Sequence, residues 1–275
     1  MMTDKCIKLG DLLSEAINEM EEERMVNAEI ISWLNRICTN VEIKSGDIGV
    51  DSLRRQFLGL IRNEGIDEYS RYLGMFFEKP NVFRRYVLEF INHNPGCVID
   101  GELSRFGGNV EKMIKSHRDG WDFYSFEDFI KPEYMDKLLE FMLPNATFFR
   151  KLKMSKDGHL ICHRAINIDK NNINDLRDGL GIYWTFGKTA FSYDNFFGEE
   201  FAAGRVYTIT FHAEVPASSV SAWETLDANV GNFSNEEEIT VIGDSPIILY
   251  GVDVMDYRTK RKWSVPLGRK FVVLA

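Results

Sequence analysis

The hydrophobic pattern of this chain changes its period once, near residue 145, and that change restricts the architectures open to it. Before it, apolar residues recur three and four apart. Leu12, Leu13, Ala16, Ile17 and Met20 form one helical stripe, and Val26, Ile30, Trp33, Leu34 and Ile37 form the next. The acidic block from Glu19 to Glu23 breaks this pattern and is expected to face solvent. After residue 145 the apolar segments are short, rich in β-branched and aromatic residues, and bounded by turn signals. Helices gathered first and strands gathered second predict an α+β chain.

Local signals place the elements. Asp51 is expected to cap a helix carrying Leu53, Phe57, Leu58, Leu60 and Ile61, with Gly65 past its end. Tyr69, Tyr72, Leu73 and Phe76 continue the pattern up to Pro80. Val82, Phe83, Tyr86, Val87 and Phe90 form a stripe stopped by Asn94-Pro95-Gly96. Pro132 suits the first turn of a helix bearing Met135, Leu138, Leu139 and Met142. In the second half, strands are predicted over residues 159–166, 181–186, 206–211, 238–242, 247–252 and 270–274, with a short helix over 188–197. The basic segment Arg150, Lys151, Lys153 and Lys156, followed by Asp157-Gly158, marks the boundary. It separates an all-helical domain, 1–150, from a sheet domain, 151–275.

Charge and cysteines exclude several classes. The net charge is −9, divided as −7 over residues 1–150 and −2 over 151–275. A general nucleic-acid coat protein would be basic. Cys6, Cys38, Cys97 and Cys162 are far apart and form no CxxC pair, which argues against a disulfide scaffold or a zinc ribbon. No apolar run approaches a bilayer span and no secretory leader is evident, so a cytoplasmic protein without membrane contact is expected.

The residues that could carry chemistry lie in the second half. His163-Arg164-Ala165 falls in the first predicted strand. Tyr183-Trp184-Thr185 follows about twenty positions later, then Ala190 and Tyr193, and finally Glu236-Glu237-Glu238 leading into Ile239-Thr240-Val241. Each has an ordinary reading: a strand arginine in an ion pair, an aromatic strand in the core, a glutamate run in solvent. His159, Cys162 and His163 are close in sequence, but Cys162 and His163 would point to opposite faces of a strand and no second cluster completes a metal site. Phe106-Gly107-Gly108-Asn109 reads as a turn, since no phosphate-loop pattern is built on it. Arg258, Lys260, Arg261, Lys262 and Trp263 form a basic-aromatic patch that could be hairpin decoration or could touch a nucleic acid or an acidic target.

In this order, over residues ~155–275, the segments resemble the mono-ADP-ribosyltransferase family. The resemblance implies a split β-sheet catalytic domain that consumes NAD as substrate and holds no metal. Arg164 matches the strand-one arginine that grips the NAD phosphates, with His163 beside it. Glu236 and Glu238 match the family's Glu-x-Glu, Glu238 being the catalytic carboxylate. Tyr183, Trp184, Thr185 and Tyr193 match its strand-helix unit at the NAD site. The Ser-Thr-Ser element of the arginine-modifying subgroup has at best a loose substitute in Ser218, Ser219 and Ser221. The family sets such enzymes in bacterial toxins, toxin–antitoxin modules and phage-encoded modifiers. The acceptor is then a macromolecule, a protein side chain or an RNA or DNA base. The helical half is expected to recognise that target or to dock a neutralising antitoxin or other partner protein.

The residue types suit the chemistry. Breaking the N-glycosidic bond to nicotinamide builds positive charge on the ribose, which a carboxylate at Glu238 can stabilise. Residues two apart on a strand share a face, so Glu236 is expected to point into the same cleft as Glu238 and to act on the nucleophile, while Glu237 faces away. Arg164 offers a planar donor fork for a diphosphate. Tyr193 or Trp184 could stack on the nicotinamide ring. Two alternatives stay open: a glycohydrolase with water as acceptor, and a non-catalytic interaction module on the same fold.

Overall fold

A computed structural model of the chain describes residues 2–43, 49–64, 73, 77, 79–117, 125–169, 175–184, 189–194, 206–230 and 237–275. The two predicted helical stripes at the N-terminus belong to one continuous helix, α1 (Met2–Ile37). Only its second stripe is core: Val26, Ile30, Trp33 and Leu34 are fully buried. Leu12, Leu13, Ile17 and Met20 of the first stripe are instead 56–66% exposed. The acidic block does not point to open solvent. Arg258 is 3.1 Å from Glu22, Arg261 lies 2.6 Å from Glu23 and 3.7 Å from Glu19, and the Tyr207 hydroxyl donates to Glu22. Trp263 Nε1 adds a bond to Asn27 at 2.9 Å. Arg258, Arg261 and Trp263 of the basic-aromatic patch are thus engaged from within the chain.

α2 (Gly49–Glu64) begins two residues before Asp51, which sits in the first turn and pairs with Arg54 at 2.9 Å rather than capping. α3 (Pro80–His93) starts on Pro80, whose missing N–H costs nothing there, and buries Phe83, Tyr86, Val87, Phe90 and Ile91. Two short helices follow, α4 (Glu102–Arg105) and α5 (Val110–Ser116). The expected turn lies between them: Gly107 and Gly108 have φ of 63° and 80°, and Asn109 caps α5 by accepting from Lys112 N at 2.8 Å. Pro132 opens a 3-10 turn that leads into α6 (Met135–Met142), and α7 (Thr147–Lys151) follows.

The second half is an antiparallel sheet. Its strands are β1 (Leu160–Ile168), β2 (Thr189–Ser192), β3 (Tyr207–Val215), β4 (Glu238–Val241), β5 (Pro246–Asp256), β6 (Lys262–Ser264) and β7 (Phe271–Leu274). The order across the sheet is β4-β2-β1-β3-β5-β6, and β7 also pairs with β5. α8 (Leu176–Tyr183) lies between β1 and β2, and α9 (Ala222–Val230) between β3 and β4. Two expectations are corrected here. The strand predicted over 181–186 starts inside α8, because Leu176, Gly179 and Leu180 are buried at helical spacing. The helix predicted over 188–197 is a strand at Thr189–Ser192, alternating buried and open against β4. Gly65, Tyr69, Tyr72, Phe76, Thr185 and Glu236 lie outside the described residues.

β1 and β3 pair over nine residues, whereas among the described residues β1 meets β2 only at His163 opposite Ser192. Strand alternation sends Cys162, Ile166 and Ile168 into the core and turns His163 to the other face. The buried side chains of both halves form one connected cluster. Trp33 joins them, with its ring 5.4 Å from Trp184 and 5.5 Å from Phe211. Among the described residues no helix is long and apolar enough to cross a membrane, and Cys38, Cys97 and Cys162 are free thiols.

Candidate active site

The cross-strand register lines up polar residues from four strands. Glu238 of β4 stands opposite Ser192 of β2, Ser192 opposite His163 of β1, and His163 opposite His212 of β3. Partners in register share a face, so these side chains form a row across the more open side of the sheet. Neighbouring strands are ~4.8 Å apart, which sets Glu238 about 9–10 Å from His163.

At one end of the row, Glu238 begins β4, and one of its carboxylate oxygens accepts from Thr240 Oγ1 at 2.8 Å. The backbone before it is not extended. Glu237 has a φ of 49°, its carbonyl accepts from Tyr193 N at 3.1 Å, and its carboxylate meets Lys151 Nζ at 2.6 Å. The alternation argument for the triplet therefore stops at Glu238. Glu237 is not a solvated side chain but an anchor between α7 and the β2 end.

Arg164 is half-buried, with its Nε closed off from solvent. Its Nη1 donates to Ala190 O at 2.8 Å and its Nη2 to Tyr183 O at 3.1 Å. The guanidinium also lies 5.9 Å from the centre of the Trp184 ring. Burial lowers its pKa from the ordinary guanidinium value, and the Glu238 carboxylate opposes that shift. Both Nη groups of the fork foreseen for a diphosphate are thus engaged by backbone carbonyls. Nε is buried with no hydrogen-bond partner, and an anionic oxygen would satisfy it.

The aromatic candidates separate. Trp184 is 2% exposed, donates Nε1 to Leu274 O at 3.3 Å, and packs edge-on against Trp33, Phe211 and Phe191. Its ring belongs to the core rather than to a ligand surface. Tyr193 is also buried, with its ring perpendicular to that of Phe148 at 5.4 Å. Tyr183 is half-buried and contributes its carbonyl to Arg164.

At the other end of the row is a cluster that sequence reasoning missed. His163 Nδ1 lies 2.7 Å from His212 Nδ1, and His212 Nε2 lies 2.9 Å from Asp253 Oδ2. Ser264 Oγ donates to the second oxygen of Asp253 at 2.6 Å. Gly251, opposite His212, leaves space for the imidazole: a Cβ there would come 3.2 Å from His212 Cδ2. The register shifts beside it, so that Tyr250 bulges from β5 with its ring 6.1 Å from His212. Burial, helped by His212 and Lys153, pushes the pKa of His163 down to about 4, against the pull of Asp194 and Asp253.

Protein-family models, curated proteins and solved structures yield no match to this chain. A carboxylate at one end of the row, an uncharged imidazole near the middle and a half-buried guanidinium on the adjoining core side can stabilise a cation, accept a proton and hold an anion. Among the described residues no group of His, Cys, Asp and Glu side chains could hold a metal ion.

Proposed function

We propose that the chain is an NAD-dependent ADP-ribosyltransferase, with residues 151–275 forming a split-sheet catalytic unit. The observation that carries this reading is the register that sets Glu238, the first residue of β4, across Ser192 of β2 from His163, the neighbour of Arg164 on β1. Their strands meet β2 from either side, and among the described residues β1 does so through a single register pair. Glu238 takes the role of the carboxylate facing the ribose, where positive charge grows as the glycosidic bond to nicotinamide weakens. Arg164 holds one phosphate oxygen through Nε, and its Nη groups keep α8 and β2 in place around the ligand. Tyr183 and Tyr193 border the same place, and Thr185 and Glu236 belong to it by the resemblance alone.

The acceptor is a macromolecule in this reading, met from the open side of the sheet. The exposed stripe Leu12, Leu13, Ile17 and Met20 on α1 supports the role given to the helical half, the docking of a target or a neutralising protein. A cytoplasmic setting, as a toxin or a phage-encoded modifier, belongs to the same proposal. A second reading has its own support. Because Arg164 spends both Nη groups on carbonyls, it already has a structural task, as it would in a non-catalytic interaction module.

Labelled NAD incubated with the full chain and cell lysate separates the readings. Label retained on a macromolecule means a transferase, and its loss to protease or to nuclease identifies the acceptor as protein or nucleic acid. Free ADP-ribose without any labelled macromolecule means a glycohydrolase. Unchanged NAD leaves the interaction module.

A further inference from the structure

We propose that Asp253, His212 and His163 form a proton relay that makes Nε2 of His163 the general base of this site. The inference deepens the transferase reading and rests on it for the identity of the reaction; the base itself is identified by the hydrogen-bond chain.

The chain fixes the tautomers. A carboxylate only accepts, so His212 Nε2, 2.9 Å from Asp253, carries hydrogen. In the form of the site with His212 uncharged, its Nδ1 presents a lone pair and His163 Nδ1, 2.7 Å away, is the donor. That leaves the lone pair of His163 on Nε2, at the far side of its ring. Ser264 holds the second Asp253 oxygen, and Gly251 gives the His212 ring its room. The groups acting on His163 are His212, Asp253, Lys153 and Asp194, and with its pKa near 4 it is uncharged at neutral pH. Tyr250 and Asp253 face His212 from β5.

In the transfer step, a lone pair of the acceptor's oxygen or nitrogen forms a bond to the nicotinamide-bearing ribose carbon. The glycosidic bond breaks, and its electron pair leaves with the ring nitrogen as neutral nicotinamide. The acceptor's proton goes to His163 Nε2, and the Nδ1 proton of His163 passes to His212 Nδ1. The positive charge finishes on His212, beside Asp253, and nothing is oxidised or reduced. Such a base typically contributes 10²–10⁴-fold, and its orienting partner about 10–100-fold.

The test uses the full chain with ¹⁵N-labelled histidine. Ring-nitrogen NMR is expected to find His163 protonated at Nδ1 and bare at Nε2, a preference that Asp253→Asn weakens. In transfer assays, His163→Gln should lower the rate about 10²-fold or more and Asp253→Asn about 10–100-fold, both with little change in KM for NAD. His163 carrying its hydrogen on Nε2 would overturn the relay whatever the activity, as would an Asp253→Asn protein with unchanged spectra. Wild-type protein that never releases nicotinamide would instead remove the NAD reading and with it this base's reaction, while the spectra still decide the relay geometry.

Discussion

Trp33 of α1 and Trp184, the residue that ends α8, meet edge to face with ring centres 5.4 Å apart and planes at 74°. The contact puts a helix from the first third of the chain beneath the β-sheet. Next to it, Cys38 bridges Val273 of β7, and Thr39 N donates to Val272 O at 2.8 Å. Trp33→Ala should therefore cost about 3–5 kcal/mol, as expected for an aromatic removed from a packed core. Urea unfolding followed by far-UV circular dichroism and by fluorescence should give one shared, earlier transition. Loss of the sheet signal alone, or no shift, would mean that the two halves hold their structure independently.

Arg164→Lys is expected to lower stability by about 1–3 kcal/mol, since one ammonium cannot reproduce two hydrogen bonds to carbonyls on different elements. The comparison that matters is the melting temperature against KM for NAD. A rise in KM with a modest loss of Tm supports a ligand role at Nε. A loss of Tm with KM unchanged assigns Arg164 to structure alone.

Much of the fold was legible in the sequence because it follows from local period. The segments around His159–Ile166, Val206–Phe211 and Lys270–Leu274 became β1, β3 and β7, and the stripe at Val82–Phe90 became α3. Errors came where four to eight residues satisfy both periods. Ala190 and Tyr193 are three apart and read as a helix, yet pairing with β4 makes them strand and strand end. The site was legible only in part. Arg164 and Glu238 stand where a strand pattern puts them, whereas Glu237 adopts a left-handed backbone that alternation cannot anticipate. His212 and Asp253 carry no local signal. They lie 49 residues from His163 and 41 from His212, and only the β1–β3–β5 register brings them together.

The acidic block on α1 makes a separate prediction. Glu22→Ala removes the partner of the Tyr207 hydroxyl and an ion pair with Arg258. The exposed pair is worth ~0–1 kcal/mol, whereas a buried hydroxyl left unsatisfied costs ~1–3 kcal/mol. Tyr207→Phe should recover most of the loss in the double variant, as read from urea midpoints. Additive losses in the double variant would mean that the two residues act separately.

His163 also sets a pH dependence of stability. Its folded pKa of about 4 lies below the ordinary histidine value of 6.5, so the unfolded chain binds more protons between these limits. The contribution is fully present above about pH 6.5 and is lost as the pH falls toward 4. Urea midpoints measured across that window should fall less steeply with acid for His163→Gln than for the wild type. Parallel curves would show that His163 is not held neutral by the fold.

Nicotinamide release from NAD by the purified 275-residue chain, compared with its Glu238→Gln variant, tests the transferase reading most directly. The expected result is release by the wild type, in the presence of lysate acceptor, and a loss of about 10²–10³-fold in the variant, with NAD binding changed far less. Equal rates for the two proteins, or no release by the wild type under any condition, would contradict it.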